Sequence, residues 1–220
     1  MLNLAFDTTA RSCSVALSRD GIIIGKDINI MDFGQAEALF PSIQKLLSAQ
    51  NLQPKDLDLV TVCTGPGSFT GVRSSLSAAR SLGLALPNTG ITGVSAFEVY
   101  MEGLEDDELA EINAVIIETK REDFYYQSFD NQRHKISEPT ALTYEEVKNE
   151  LRHKKVTLVG DGVERFLYQP SGLSLHVIRM EEFAPIETLA LCGDRKFKRK
   201  SLDYPKPLYL RAPDVCIKSV

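Results

Sequence analysis

"FDTTARSCSVAL", residues Phe6–Leu17, decides how the rest of this chain is read. A compact apolar run, "LNLAFD", ends on Asp7; Thr8 and Thr9 turn the chain; Cys13, Val15 and Leu17 then alternate in period two. That pattern predicts two strands joined by a polar turn. "RDG" (Arg19–Gly21) turns the chain again before a third strand, "IIIGKDINI". Ala36, Leu39, Phe40, Ile43, Leu46 and Leu47 recur at helical spacing and predict one amphipathic helix. "LVTVCT" comes next as a buried strand, then the glycine loop "TGPGSFTGVRSS" (Thr64–Ser75), then a helix over Val72–Leu86. "GITGV" is a fifth short strand, and Ser95 caps a helix over "AFEVYM".

The acidic stretch "EGLEDDELAE" (Glu102–Glu111) separates this unit from the second half of the chain. There the order recurs. "INAVIIE", "DFYYQSF" and "RHKIS" predict three strands, and Thr143 caps a helix over "YEEVKNELRH". "KVTLVG" is a strand, "VERFL" a short helix and "LSLHVI" a strand, and Pro185 opens a final helix over "APIETLALCGDRKF". The repeated order predicts an α/β protein made of two ribonuclease-H-like units, the actin-like duplication. The units span residues 1–100 and 101–220, with the final helix, about 185–198, able to pack back on the first.

A chain of 220 residues with 43% hydrophobic and 25% charged residues is ordinary for a globular protein. Its net charge of −5 gives no global drive toward nucleic acid, because phosphate backbones recruit basic surfaces. The local exception is "DRKFKRKS" (Asp194–Ser201), which also reads as a solvated helix end with cations favourable at its C-terminus. Cys13, Cys63, Cys192 and Cys216 have no CxxC spacing and are expected as reduced thiols. No signal-like N-terminus and no apolar run of the ~20 residues needed to cross a bilayer is found, so a cytoplasmic location and no membrane partner are expected.

Three kinds of chemistry are tested by these residues. Asp7, Thr8, Thr9 and Ser12 have the layout of a phosphate-type turn, as in actin-like ATPases and sugar kinases, with the aspartate facing a metal; the same residues also make a plain polar turn. The loop Gly65, Pro66, Gly67, Ser68, Phe69, Thr70, Gly71 fits neither a Walker A nor a Rossmann fingerprint nor a nucleophile elbow. His134, His153 and His176 are scattered, with no metal-ligand spacing. Glu118 ends the first strand of the second unit and can face Asp7, yet "ETKRED" lacks the second glycine-rich phosphate loop of an actin-like ATPase. These gaps argue against independent catalysis; a small-molecule kinase or ATPase of the actin-like fold stays as the alternative. The helix after the loop carries Ser74, Ser75, Ser77, Ala78, Ala79, Ser81 and Gly83, small residues on more than one face, which suggests a second neighbour.

"FDTTARSCSVAL", "GPGSFTGVR" (Gly65–Arg73), "GVSAFE" (Gly93–Glu98) and "PLYLR" (Pro207–Arg211) together resemble the TsaB (YeaZ) family along nearly the whole chain. The resemblance implies an ASKHA fold whose second unit is smaller and degenerate, with no nucleotide or metal site of its own. It implies a non-catalytic partner subunit in forming threonylcarbamoyladenosine 3′ of the tRNA anticodon, bound to TsaD and joined by the ATPase TsaE. ATP and metal are then expected on the partner subunits, tRNA is reached through the complex, and the chain can homodimerise when alone. The partner surface implied is Gln35, Leu39, Arg73, Leu76, Ala79 and Arg80, on the first helix and the helix behind the glycine loop. Gln35 stands where many relatives carry His, "VRSSLSAAR" departs from the more usual Ile-Gly after Val-Arg, and "ETKRED" replaces a common Asp-Ala-Arg.

Overall fold

The computed structural model describes residues 1–211; Cys216 lies outside them. The first unit runs β1 (Leu2–Asp7), β2 (Ser12–Arg19), β3 (Ile22–Ile30), α1 (Gln35–Ala49), β4 (Leu59–Cys63), α2 (Phe69–Ala85), β5 (Gly90–Val94) and α3 (Ala96–Glu102). The second repeats it with β6 (Ile112–Glu118), β7 (Asp123–Phe129), β8 (Thr140–Thr143), α4 (Tyr144–Leu151), β9 (Lys155–Gly160), α5 (Val163–Leu167), β10 (Ser174–Met180) and α6 (Ile186–Lys198). The sheets are ordered β3-β2-β1-β4-β5 and β10-β9-β6-β7-β8, so the second is the first written backwards. In each, three antiparallel strands are extended by two parallel ones, which need helical crossovers. The actin-like duplication of two ribonuclease-H-like units is therefore present.

Strand alternation explains how both sheet faces are covered. Along β1 and β2, Leu4, Phe6, Cys13, Val15 and Leu17 point to one face, where they pack on Leu39, Ile43, Leu46, Val72, Leu76 and Ala79 of α1 and α2. Ala5 and Ala16 point the other way, into a core shared with α3 and α6 and with Val115, Ile117 and Val159 of the second sheet. Their small size lets the helices approach closely. The outer face of the second sheet closes over α4 and α5 through Ile116, Phe124, Val147 and Phe166.

The last helix lies against the first sheet. Asn3 Nδ2 donates to the Ala190 carbonyl and to Asp194 Oδ1, each at 2.9 Å, and Ser18 Oγ donates to the same carboxylate oxygen at 3.0 Å. A Cβ on Gly193 would overlap the Thr61 hydroxyl, so glycine is what lets α6 seat on β4.

The two largest departures from the elements read in the sequence concern a strand and the start of a helix. "RHKIS" is not a strand: Arg133 takes a left-handed φ of 64°, and Asp130 Oδ1 accepts from Gln132 N and His134 N at 2.8 Å, closing a turn. The strand that pairs with β7 is Thr140–Thr143, with Tyr126 opposite Thr140 and Asp123 opposite Thr143. The second departure is that α2 begins at Phe69 rather than Val72, because Ser68 Oγ accepts from Gly71 N at 3.3 Å and caps the helix inside the glycine loop.

Candidate functional site

The turn after β1 is enclosed. Asp7, Thr8, Thr9 and Ser12 are all buried. Thr9 N donates to Asp7 Oδ1 at 2.7 Å, and Thr8 N donates to Ser75 Oγ at 3.1 Å. Thr8 Oγ1 donates to the Gly71 carbonyl at 2.8 Å, and the Ser12 hydroxyl pairs with that of Ser14 at 2.9 Å. A phosphate would need the Thr8 and Thr9 N–H groups; both are committed within the chain.

The glycine loop packs directly on this turn. Ser68 N donates to the Thr9 carbonyl at 2.7 Å. A Cβ on Gly67 or Gly71 would come closer than 3.0 Å to the carbonyl oxygens of Thr9 and Thr8, respectively. These two glycines are explained by close approach to the protein's own backbone. Gly65, at φ 92°, supplies the left-handed turn that brings the chain off β4.

Burial also sets the charge of the turn. Desolvation is the largest influence on Asp7 and raises its carboxyl above the usual range, against the Thr9 and Cys63 hydrogen bonds that lower it. Burial, then the Asp7 charge, pushes the Cys63 thiol well above its ordinary value. In the second unit, Asp161 accepts from Glu118 N at 2.9 Å, and burial pushes it up to about 7, with the Glu118 and Asp7 charges adding. Glu118 itself is held by Arg165 Nε at 2.6 Å. The turn "ETKRED" closes on its own Thr119 hydroxyl, which donates to the Asp123 carbonyl at 2.6 Å and accepts from Arg121 N at 3.2 Å. Burial thus raises both Asp7 and Asp161, while Glu118 is already paired with Arg165. Among the described residues, no group of three His, Cys, Asp or Glu is arranged to hold a metal.

The four sequence motifs meet around the loop. Ala96 N, from "GVSAFE", donates to the Gly65 carbonyl at 2.8 Å, and Leu208 N, from "PLYLR", donates to the Thr64 carbonyl at 2.9 Å. Gly93 N donates to the Asp203 carbonyl at 3.0 Å, so the C-terminal segment runs along β5. Arg73 stacks 3.7 Å from the centre of the Phe69 ring and donates to the Tyr209 hydroxyl at 3.3 Å; Arg80 Nη2 donates to the Pro205 carbonyl at 2.9 Å. Beside this junction, Thr64, Ser95, Lys196, Asp203 and Leu208 help line an open groove of about 520 Å³.

The structure divides the residues assigned from sequence to the partner surface. Leu39, Leu76 and Ala79 are buried in the core of the first unit, Leu76 at 3% exposure and Ala79 at 0%, and so are corrected to core residues. On α2 the sheet-facing side runs through Val72, Ser75, Leu76 and Ala79, the i, i+3, i+4 and i+7 spacing of one helix face. Gln35 is half-buried and donates to the carbonyls of Met31 at 3.0 Å and Ala10 at 3.4 Å, tying the start of α1 to the turn. Arg80 is half-buried under the C-terminal segment, while Arg73 is exposed. The outward face carries residues that sequence reasoning missed. Phe33 is 90% exposed and Phe40 50%, with Ile30 and Leu84 also open to solvent. On α2, Arg73, Ser77, Ser81 and Leu84 form one exposed stripe at i, i+4, i+8 and i+11. Phe40 fits the apolar stripe of α1 by spacing, but its offset from Leu39 and Ile43 places it at the rim.

No described helix is long and apolar enough to cross a membrane. A family profile described as "TsaD: tRNA N6-adenosine threonylcarbamoyltransferase" matches residues 34–178. The Escherichia coli "tRNA threonylcarbamoyladenosine biosynthesis protein TsaB" is 27% identical over 94% of both chains. The Bacillus subtilis protein of the same name is 33% identical over 44% of this chain, and that alignment spans only 42% of the relative. The solved structure of YeaZ from Pseudomonas aeruginosa superposes with a TM-score of 0.81 at 21% identity, over 95% of this chain and 99% of that one, which supports the fold. The chain belongs to the family described as TsaD, tRNA N6-adenosine threonylcarbamoyltransferase.

Proposed function

We propose that this chain is a non-catalytic binding subunit of the machinery that forms threonylcarbamoyladenosine in tRNA. The names of its relatives supply the pathway. The observation that carries the rest is the filled turn: Thr8 and Thr9 spend their N–H groups inside the chain, and Gly71 packs on the Thr8 carbonyl. In this reading a TsaD-type protein docks on the α1–α2 face, a TsaE-type ATPase joins the assembly, and nucleotide and metal reside on those subunits. The tRNA is engaged through the complex, in the cytoplasm. A second copy of this chain occupies the same face when the partner is absent.

Phe33 and Phe40 are the side chains expected to anchor the partner, since large exposed aromatics concentrate binding energy at interfaces. The variant Phe33→Glu/Phe40→Glu is expected to weaken binding to a TsaD-type partner at least about thirtyfold, the equivalent of ~2 kcal/mol. Its unfolding midpoint should match the wild type, because neither ring is buried. Size-exclusion co-elution and calorimetry measure both quantities. Undiminished co-elution of the folded variant would remove the α1–α2 face from the reading.

A further inference from the structure

The end of α6 carries charge that neither the core nor the α1–α2 face uses. Five of the six residues from Arg195 to Lys200 are cations, in a chain of net charge −5. Two of them are spent internally: Arg195 Nη2 donates to Glu102 at 2.8 Å, and Lys196 Nζ donates to Asp203 at 3.0 Å. Lys198, Arg199 and Lys200 are exposed, and none closes an ion pair within 4.0 Å among the described residues. Lys198 reaches over the Gly21 turn, where Arg19 is also exposed. The carboxylates there are engaged by the N-terminal ammonium: Asp20 at 2.7 Å, a bond that is the main cause of its lowered pKa, with Lys198 and Arg19 adding, and Asp58 at 3.8 Å.

Helix-end electrostatics account for cations in the last turn but not for those beyond it. Lys200 makes the point sharply. It closes the helix in the left-handed region at φ 54°, with Lys200 N donating to the Phe197 carbonyl and Ser201 N to the Lys196 carbonyl, both at 3.0 Å. Glycine adopts that conformation with no Cβ penalty and is the usual residue there. A cation therefore occupies a position where glycine would serve the fold better.

We propose that Arg19, Lys198, Arg199 and Lys200 form a contact for the phosphate backbone of RNA. The cluster is an exposed helix end, suited to phosphates rather than to reading bases, so binding should be insensitive to sequence and steeply dependent on salt. It lies at the end of α6, on the sheet face opposite α1 and α2, so RNA and a protein partner can be held together. That the RNA is a tRNA rests on the proposed function above.

The test uses a fluorescent unmodified tRNA transcript, titrated with the full chain alone and with the chain in complex with its TsaD-type partner, across a salt series. Lys198→Glu/Arg199→Glu/Lys200→Glu should weaken binding at least tenfold at low salt and flatten the salt slope by about two, at roughly 0.7–0.9 per lost phosphate contact. Lys200→Gly should raise the melting midpoint by about 2 °C while weakening binding by roughly two- to threefold. Unchanged affinity and slope in the folded triple variant overturns the proposal, as does a wild type with no measurable tRNA affinity at low salt. So does a triple variant that loses binding to anionic vesicles instead of to tRNA. If tRNA binding depends on the cluster but the chain is dispensable for modification, the proposed function falls and this contact stands; dependence of modification without dependence of binding is the reverse.

Discussion

Gly71→Val is expected to cost about 3 kcal/mol of stability, near the top of the range for overpacking substitutions. The reason is what the new side chain would meet. A Cβ at this position falls on the Thr8 carbonyl oxygen and carbon and on Thr9 Cα. All three are backbone atoms, so no rotamer change relieves the overlap. The first turn of α2 would have to lift from the end of β1, breaking the bond from Thr8 Oγ1 to the Gly71 carbonyl and the one from Ser68 N to the Thr9 carbonyl. For a chain of this size, the loss corresponds to a drop of roughly 6–12 °C in melting midpoint. Gly103→Ala is the control, since its Cβ would meet nothing closer than 3.4 Å. Urea unfolding of the two variants side by side measures the difference. Equal stabilities would mean that the loop does not press on the turn, and the case for a filled site would weaken with it.

Leu76→Arg is expected to unfold the protein rather than to disarm an interface. Leu76 is buried with Val72 and Ala79 where α2 packs on the first sheet, chiefly on β4. Burying an unpaired guanidinium there costs about 3–5 kcal/mol before the lost leucine packing is counted. Ser77→Arg, one residue along on the exposed stripe, should change stability by no more than about 0.5 kcal/mol. Soluble yield and denaturant midpoint separate the two. A folded Leu76→Arg that fails only in partner binding would contradict the placement of that side of α2.

The same helix shows where sequence reasoning reaches and where it stops. Element order was legible throughout, because period-two runs such as Cys13, Val15, Leu17 and helical repeats such as Leu39, Ile43, Leu46 reflect which face each element buries. Which face of α2 looks outward was not legible. Small residues line both sides, Ser75, Ala78 and Ala79 inside and Ser77 and Ser81 outside, so composition cannot distinguish seating on a sheet from seating on a partner. The start of α2 was hidden because Gly67 and Gly71 read as loop, although Ser68 between them is the cap. "RHKIS" failed for a related reason: its cations and Ile136 fit an edge strand, but Asp130 gathers the backbone into a turn first.

For the site, the sequence placed Asp7, Thr8 and the glycine loop as separate features. Their packing on one another depends on two backbone segments, 8–9 and 67–71, touching over a distance no local pattern reports. The closing of "PLYLR" over that junction through Leu208 and Tyr209 is likewise a tertiary fact. The exposed rings of Phe33 and Phe40 had a visible signal, since Phe33 precedes the helix and sits outside its apolar stripe.

The most direct test is reconstituted tRNA modification with the TsaD-type and TsaE-type partners and the enzyme that supplies threonylcarbamoyl-adenylate, with this chain omitted, wild type, or Asp7→Asn. Asparagine keeps an acceptor for the Thr9 N–H, now 2.7 Å from Asp7 Oδ1, and removes the carboxylate that a metal or phosphate chemistry at the turn would require. A binding subunit predicts little or no modification without the chain and activity within about twofold of wild type with Asp7→Asn. Full modification in the absence of the chain, or a folded Asp7→Asn protein that is inactive, would contradict it.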